Sequence, residues 1–115
     1  MKLNHCVLSL AFILLAIAGV AESQDSFLHA MHESMAQMHG AMDHVSSSGD
    51  PDRDFALMMI PHHQGAIDMA KVELLYGKDP VMRRLAQEII ADQQSEIDVM
   101  RLQLAKNSGK AEKEH

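Results

Sequence analysis

The sequence predicts an all-α fold: a small antiparallel helical bundle of three helices behind a short leader. Three observations predict it. No stretch shows the apolar–polar alternation of a strand. Two Asp-Pro pairs, Asp50-Pro51 and Asp79-Pro80, each open an amphipathic stretch, and Gly77 closes the first of them. The 115 residues suffice for one small domain.

The leader comes first. Met1 to His5 carries Lys2, and Cys6 to Val20 is apolar and uncharged, followed by the small Ala21. This pattern predicts a signal peptide over residues 1–21 and a periplasmic or secreted protein. The alternative is an uncleaved anchor, but the run is short for a span of about 20 residues and nothing basic follows it. Losing Lys2 would take the formal charge from -6 to -7. That balance argues against nucleic acid and anionic membrane surfaces as partners. Cys6, the only cysteine, lies in the leader, so the mature chain offers no disulfide and no thiolate. What remains is a domain over residues 22–109 and a charged tail over 110–115.

The first helix is expected over about 26–44, with Asp25 or Ser26 as N-cap. Val45 to Gly49 reads as a short flexible connection. The second helix is expected over 51–76, with Asp50 as N-cap, Pro51 at N1, Asp52 and Asp54 at its positive end, and Gly77 at C′. The third is expected over 80–106, fading by Gly109. Helices two and three would each be about 39 Å long and form a tight hairpin. Three helices make a small bundle alone, or half of a larger one completed by a homodimer.

The first helix is unusual. Leu28, Met31, Met35, Met38 and Met42 follow a 3-4-3-4 spacing and form one seam. A stripe at that spacing is ordinarily core. Here, however, no Leu, Ile, Val or Phe occurs between His29 and His44, and Met is a poorly specifying core filler. His32 and His39 flank the stripe. Thioether and imidazole together suit Cu(I) or Ag(I) through sulfur and Cu(II) through nitrogen. A thioether also survives an oxidising exterior, where a thiol is prone to form a disulfide.

The second helix carries Met58-Met59-Ile60-Pro61-His62-His63. At 100° per residue, with Phe55 at the origin, Met59 falls at about 40°, His62 at about 340°, Ala66 at about 20° and Met69 at about 320°. His62 is therefore expected inside the apolar face, pointing into the bundle, and His63 at its edge. Met58 precedes His62 by four residues and Met59 precedes His63 by four, so each pair can meet. A single His on such a face is usually a satisfied core residue. Pro61 is expected to kink the helix at a cost of about 3 kcal/mol and open room beside His62; otherwise it marks a helix start. On the third helix Met82, Leu85, Ile89, Ile97, Met100 and Leu104 form an apolar face that Gln93 and Glu96 interrupt.

These residues carry a resemblance. The run Asp54-Phe55-Ala56 … Met59-Ile60-Pro61-His62-His63-Gln64-Gly65-Ala66-Ile67-Asp68-Met69-Ala70 resembles the signature of a ferritin-like family long labelled a domain of unknown function. That family includes CopM-type periplasmic copper-binding proteins. Leu85-Ala86, Ile89, Gln93, Glu96-Ile97 and Met100 are similar to its second half. The resemblance covers roughly residues 54–104. It implies a helical bundle, export, and copper binding at Met59, His62, His63, Met69 and Met100, with Gln93 and Glu96 as groups that hold the histidines.

The expected function is thus a non-enzymatic, exported copper-binding protein that sequesters or carries Cu(I) or Cu(II) in copper homeostasis, with Ag(I) as a further ligand. Its first helix is expected to be loosely held without metal. The alternative is a helical envelope chaperone with a Met-rich apolar surface. A di-iron oxidase needs paired Glu-x-x-His motifs. Glu112–His115 is the only such spacing, so no enzyme is expected.

Overall fold

The computed structural model describes the backbone of residues 4–111 and the side chains of residues 19–108. Residues 1–3 of the expected leader and 112–115 of the tail lie outside the described residues. The chain forms three helices, α1 (Asn4–Asp43), α2 (Pro51–Tyr76) and α3 (Pro80–Ala111), and no strand among the described residues.

The bounds of α2 are those expected. Asp50 accepts from the amides of Asp52 and Arg53 at 3.0 and 3.5 Å, and Asp52 and Asp54 occupy the first turn. Asp79 does the same for α3, accepting from Val81 and Met82 at 2.9 and 3.0 Å. The helix continues through Pro61, which is not a start. Four expectations are corrected. Asp25 and Ser26 are not an N-terminus: α1 runs unbroken, and the Ser26 hydroxyl donates to the Glu22 carbonyl at 2.9 Å, as an interior serine does. α3 extends to Ala111, with the Ser108 hydroxyl bonded back to Leu104.

Gly77 is the third correction. It ends α2, but at φ -69° and ψ 150° it is extended, not left-handed. Its need for glycine is steric: a Cβ there would collide with the side chain and carbonyl of Glu73. The exposed carbonyls at this end are held by Arg83, whose Nη1 donates to Leu74 at 2.6 Å and Gly77 at 3.0 Å. Nor is the α1–α2 connection slack. Gly49 turns it with φ +84°, and Asp54 accepts from Ser47 Oγ, Ser48 N and Ser48 Oγ at 2.9, 2.8 and 2.6 Å. The Ser48 hydroxyl and amide, above all, lower the Asp54 pKa below the usual carboxylate range.

α2 sits between its neighbours. At 100° per residue from Phe55, Gly65 lies at about 280° and His63 at about 80°. Gly65 receives α1: Met38 occupies the place of its missing Cβ, with Sδ only 2.5 Å from that position. His63 meets α3 through Glu96. The two neighbours therefore flank α2 on nearly opposite sides, and the helices form a row, with extents of 93 × 26 × 16 Å. Phe27 and Tyr76, with ring centroids 6.2 Å apart and edge to face, fix the other end of the α1–α2 contact.

A row buries little. Ala56, Ile67 and Ala70 of α2 and Ala86 and Ile97 of α3 are the buried apolar residues among those described, and α1 contributes none. Among the described residues, no helix stands in front of the face of α2 around Phe55 and Ala66. Phe55 is 63 % exposed and, on α3, Leu85 45 % and Val99 64 %.

This packing and its caps set the outcome of four substitutions. Gly65→Ala should lower stability by about 1–3 kcal/mol through overpacking against Met38. Gly40→Ala, with open space around it, should raise it by about 0.5–1 kcal/mol; thermal melts of the two variants check both signs. Arg83→Met should cost about 1–3 kcal/mol by stripping the Leu74 and Gly77 carbonyls of a charged donor. Because the folded Asp54 pKa is depressed, its stabilisation is fully present above the unfolded pKa and fades as pH falls through the folded one. Ser48→Ala should move the Asp54 titration upward, measured by carboxyl NMR.

Candidate functional site

Between α2 and α3, near the start of α2, a cavity of about 350 Å³ is lined by Phe55, Met59, His63, Ser95, Glu96, Val99 and Met100. The antiparallel register creates it. His63 stands across from Glu96, and one turn along on each helix stand Met59 and Met100. The 59–63 and 96–100 spacings place each pair on one helix face.

His63 is held by one nitrogen. Its Nε2 lies 2.6 Å from Glu96 Oε2, and its side chain is 16 % exposed against 59 % for Glu96. An ionised carboxylate only accepts, so Nε2 carries the proton and donates. In the neutral ring the lone pair then sits on Nδ1. That Nδ1 is buried and has no hydrogen-bond partner. A buried acceptor left unpaired costs about 1–3 kcal/mol. A neutral imidazole oriented by a carboxylate, with its other nitrogen free, is the usual arrangement of a metal-binding histidine. Two thioethers in the same cavity add soft donors.

The two histidines exchange the roles expected of them. His62 is exposed and His63 is half-buried; their rings meet edge to face at 5.9 Å. The apolar centre of α2, to which His62 belongs, faces the side of the row that carries no helix. Gln93 is half-buried on α3 and bonds neither histidine; Glu96 alone of the two reaches one.

The other named residues are distributed along the α1–α2 side. Met31, Met35, Met38, Met42 and Met58 are half-buried, so the methionines of the α1 stripe turn towards α2, while Leu28 at its start, His32 and His39 are exposed. Met31 and Met69 line a second cavity, further along the α2–α3 groove, together with Ala66, Ala70, Glu73, Met82, Leu85, Ala86 and Ile89. Met82 belongs to the apolar face of α3 yet is 47 % exposed beside this cavity, which helical periodicity does not reveal. Among the described residues no group of three or more His, Cys, Asp or Glu side chains is gathered for a metal. Where histidine and carboxylate do converge, Met59 and Met100 line the same cavity. No helix among the described residues is long and apolar enough to cross a membrane.

Known proteins add one relative and one family. A 49-residue stretch is 45 % identical to "Uncharacterized protein L153" of Acanthamoeba polyphaga mimivirus, covering 43 % of this chain and 32 % of that protein, about a third of its length. Residues 15–104 match the model of a family described as "Domain of unknown function (DUF305)". That match takes in most of α1, all of α2 and α3 as far as Leu104, so the chain belongs to the DUF305 family.

Proposed function

We propose that this protein binds copper, as an exported carrier or sequestering protein that holds Cu(I) or Cu(II) through methionine and histidine. The observation that carries the reading is the free, buried Nδ1 of His63, in a cavity shared with Met59 and Met100 and oriented by Glu96. Imidazole nitrogen serves either oxidation state, and thioether sulfur favours Cu(I). Export to the periplasm or exterior rests on the charged start and apolar run of residues 1–21 and on the resemblance to CopM-type proteins. In such a compartment, methionine can hold Cu(I) without thiol oxidation. Glu96 would set the tautomer and raise the basicity of His63 while staying off the ion.

His63→Gln should weaken Cu(II) binding by more than about tenfold, and Glu96→Ala by about 10- to 100-fold. Titration against a competing chelator, with circular dichroism to confirm the helices, measures both. Unchanged Cu(II) affinity in His63→Gln would defeat the assignment. Among the described side chains α1 contributes no buried residue, so copper that engages its methionines should slow its amide exchange; equal exchange with and without copper would remove α1 from the binding reaction.

A second reading, an envelope chaperone, draws on the exposed Phe55, Leu85 and Val99 beside the groove. It needs the apolar side chains and not the histidines. Suppression of client aggregation that survives replacement of His62 and His63 by Gln, without measurable copper binding by the native chain, would favour it.

A further inference from the structure

We infer that the chain pairs with a second copy of itself through the uncovered face of α2, the two α2 helices lying antiparallel across a two-fold axis. The residues of that face are spaced as a seam. Phe55, Met59, His62, Ala66, Met69 and Glu73 follow a 4-3-4-3-4 spacing and fall within about 80° of arc at 100° per residue. This is the pattern by which one helix meets another in a coiled coil. Yet α1 and α3 pack on the flanks of α2 and, among the described residues, not on each other. The seam therefore has no helix of its own chain to meet. The opposite side of α2 is different in kind. There Gln64 and Lys71 both bond Asp68, at 3.1 and 3.5 Å, which leaves that side polar and suited to water. The inference does not depend on the copper reading.

The seam itself identifies the occupant. Its spacing reads the same in both directions, so an antiparallel copy meets it in register. With the axis between the two layers, crossing α2 midway between His62 and Ala66, Phe55 faces the partner's Glu73. Met59 then faces the partner's Met69, and His62 faces the partner's Ala66. The small alanine leaves room for the imidazole, and the methionines adapt to each other. A two-fold pairing of one patch with itself is the commonest form of oligomer.

Area and packing agree. Two helices each about 10 Å across and about 39 Å long, α2 and α3, present roughly 800 Å² of face. A standard interface takes about 800 Å² from each partner. On this face Phe55 is 63 % exposed, Met82 47 % and Leu85 45 %. A single layer of helices also lacks the second layer that encloses a core. The two cavities fit the same account. Ala66, Met69 and Glu73 line one, and Phe55 and Met59 line the other. Hollows beside a seam receive the side chains of the facing helix. The partner's Met69 would sit at the mouth of the His63 cavity, and pairing would roof both cavities.

Sedimentation equilibrium of the purified protein tests the pairing, with circular dichroism to confirm the helices. The native protein should be a dimer at micromolar concentration. Phe55→Glu, at an exposed position, sets a carboxylate against the partner's Glu73 and should weaken the dimer by at least about 30-fold. Phe55→Lys places an ammonium there instead and should weaken it less. Phe55→Glu/Glu73→Lys exchanges the two charges and should recover the dimer. Leu75→Glu, at a 74 % exposed residue on the far side of α2, should leave the dimer unchanged. The inference is overturned if the native protein is a monomer, or if Leu75→Glu dissociates it. It is equally overturned if Phe55→Glu remains as dimeric as the native protein, which would assign the face to another occupant such as a client. Equal weakening by Glu and Lys at position 55, or no recovery on charge exchange, would also defeat it.

Discussion

Gly65 allows α1 to lie against α2, because Met38 fills the space that any side chain there would claim. Much of the architecture depends on that approach. It brings the methionine stripe of α1 against α2 and leaves the opposite side of α2 free for α3. Two residues earlier, on that opposite side, His63 meets Glu96. One short segment, 63–65, thus takes part in both helix contacts, and a shift of α2 about its axis would disturb both together. Pro61 lies just before it within a continuous helix. Its missing amide leaves the Leu57 carbonyl without its helical donor one turn before this junction.

The hairpin and its site are linked by register. Asp79 and Arg83 fix the turn from α2 to α3: one starts the new helix, the other holds the carbonyls of the old. With the turn fixed, the pairing of His63 with Glu96 and of Met59 with Met100 follows from counting back along two antiparallel helices. Glu73 belongs to the same logic, since its side chain fills the space beside Gly77 and also faces the methionine cavity.

Much of this was legible in the residues. Asp50-Pro51, Asp79-Pro80 and Gly77 located α2 and the start of α3, because capping is local chemistry. The start of α1 was not, because Ser26 can cap a helix or sit inside one, and only the available carbonyl of Glu22 decides between them. The histidines show a different limit. A helical projection finds the centre of the apolar residues but not where the neighbouring helices stand. On α2 those neighbours flank the centre and leave it uncovered, so His62 lies exposed and His63, at the predicted edge, is the one enclosed. Met82 shows the same limit: it shares a cavity with Met31 and Met69, which are distant in sequence.

The row of three helices also governs how a bound ion would exchange. In a closed bundle, metal release must wait for helices to separate. Here both cavities of a single chain open on a side of α2 that no described helix covers, so a donor or acceptor ligand could reach a bound ion while it is still held. Transfer can then proceed through a shared intermediate, with one bond to the new partner forming before the last old one breaks. Its rate would be set by the approach of the partner instead of by unfolding of the carrier.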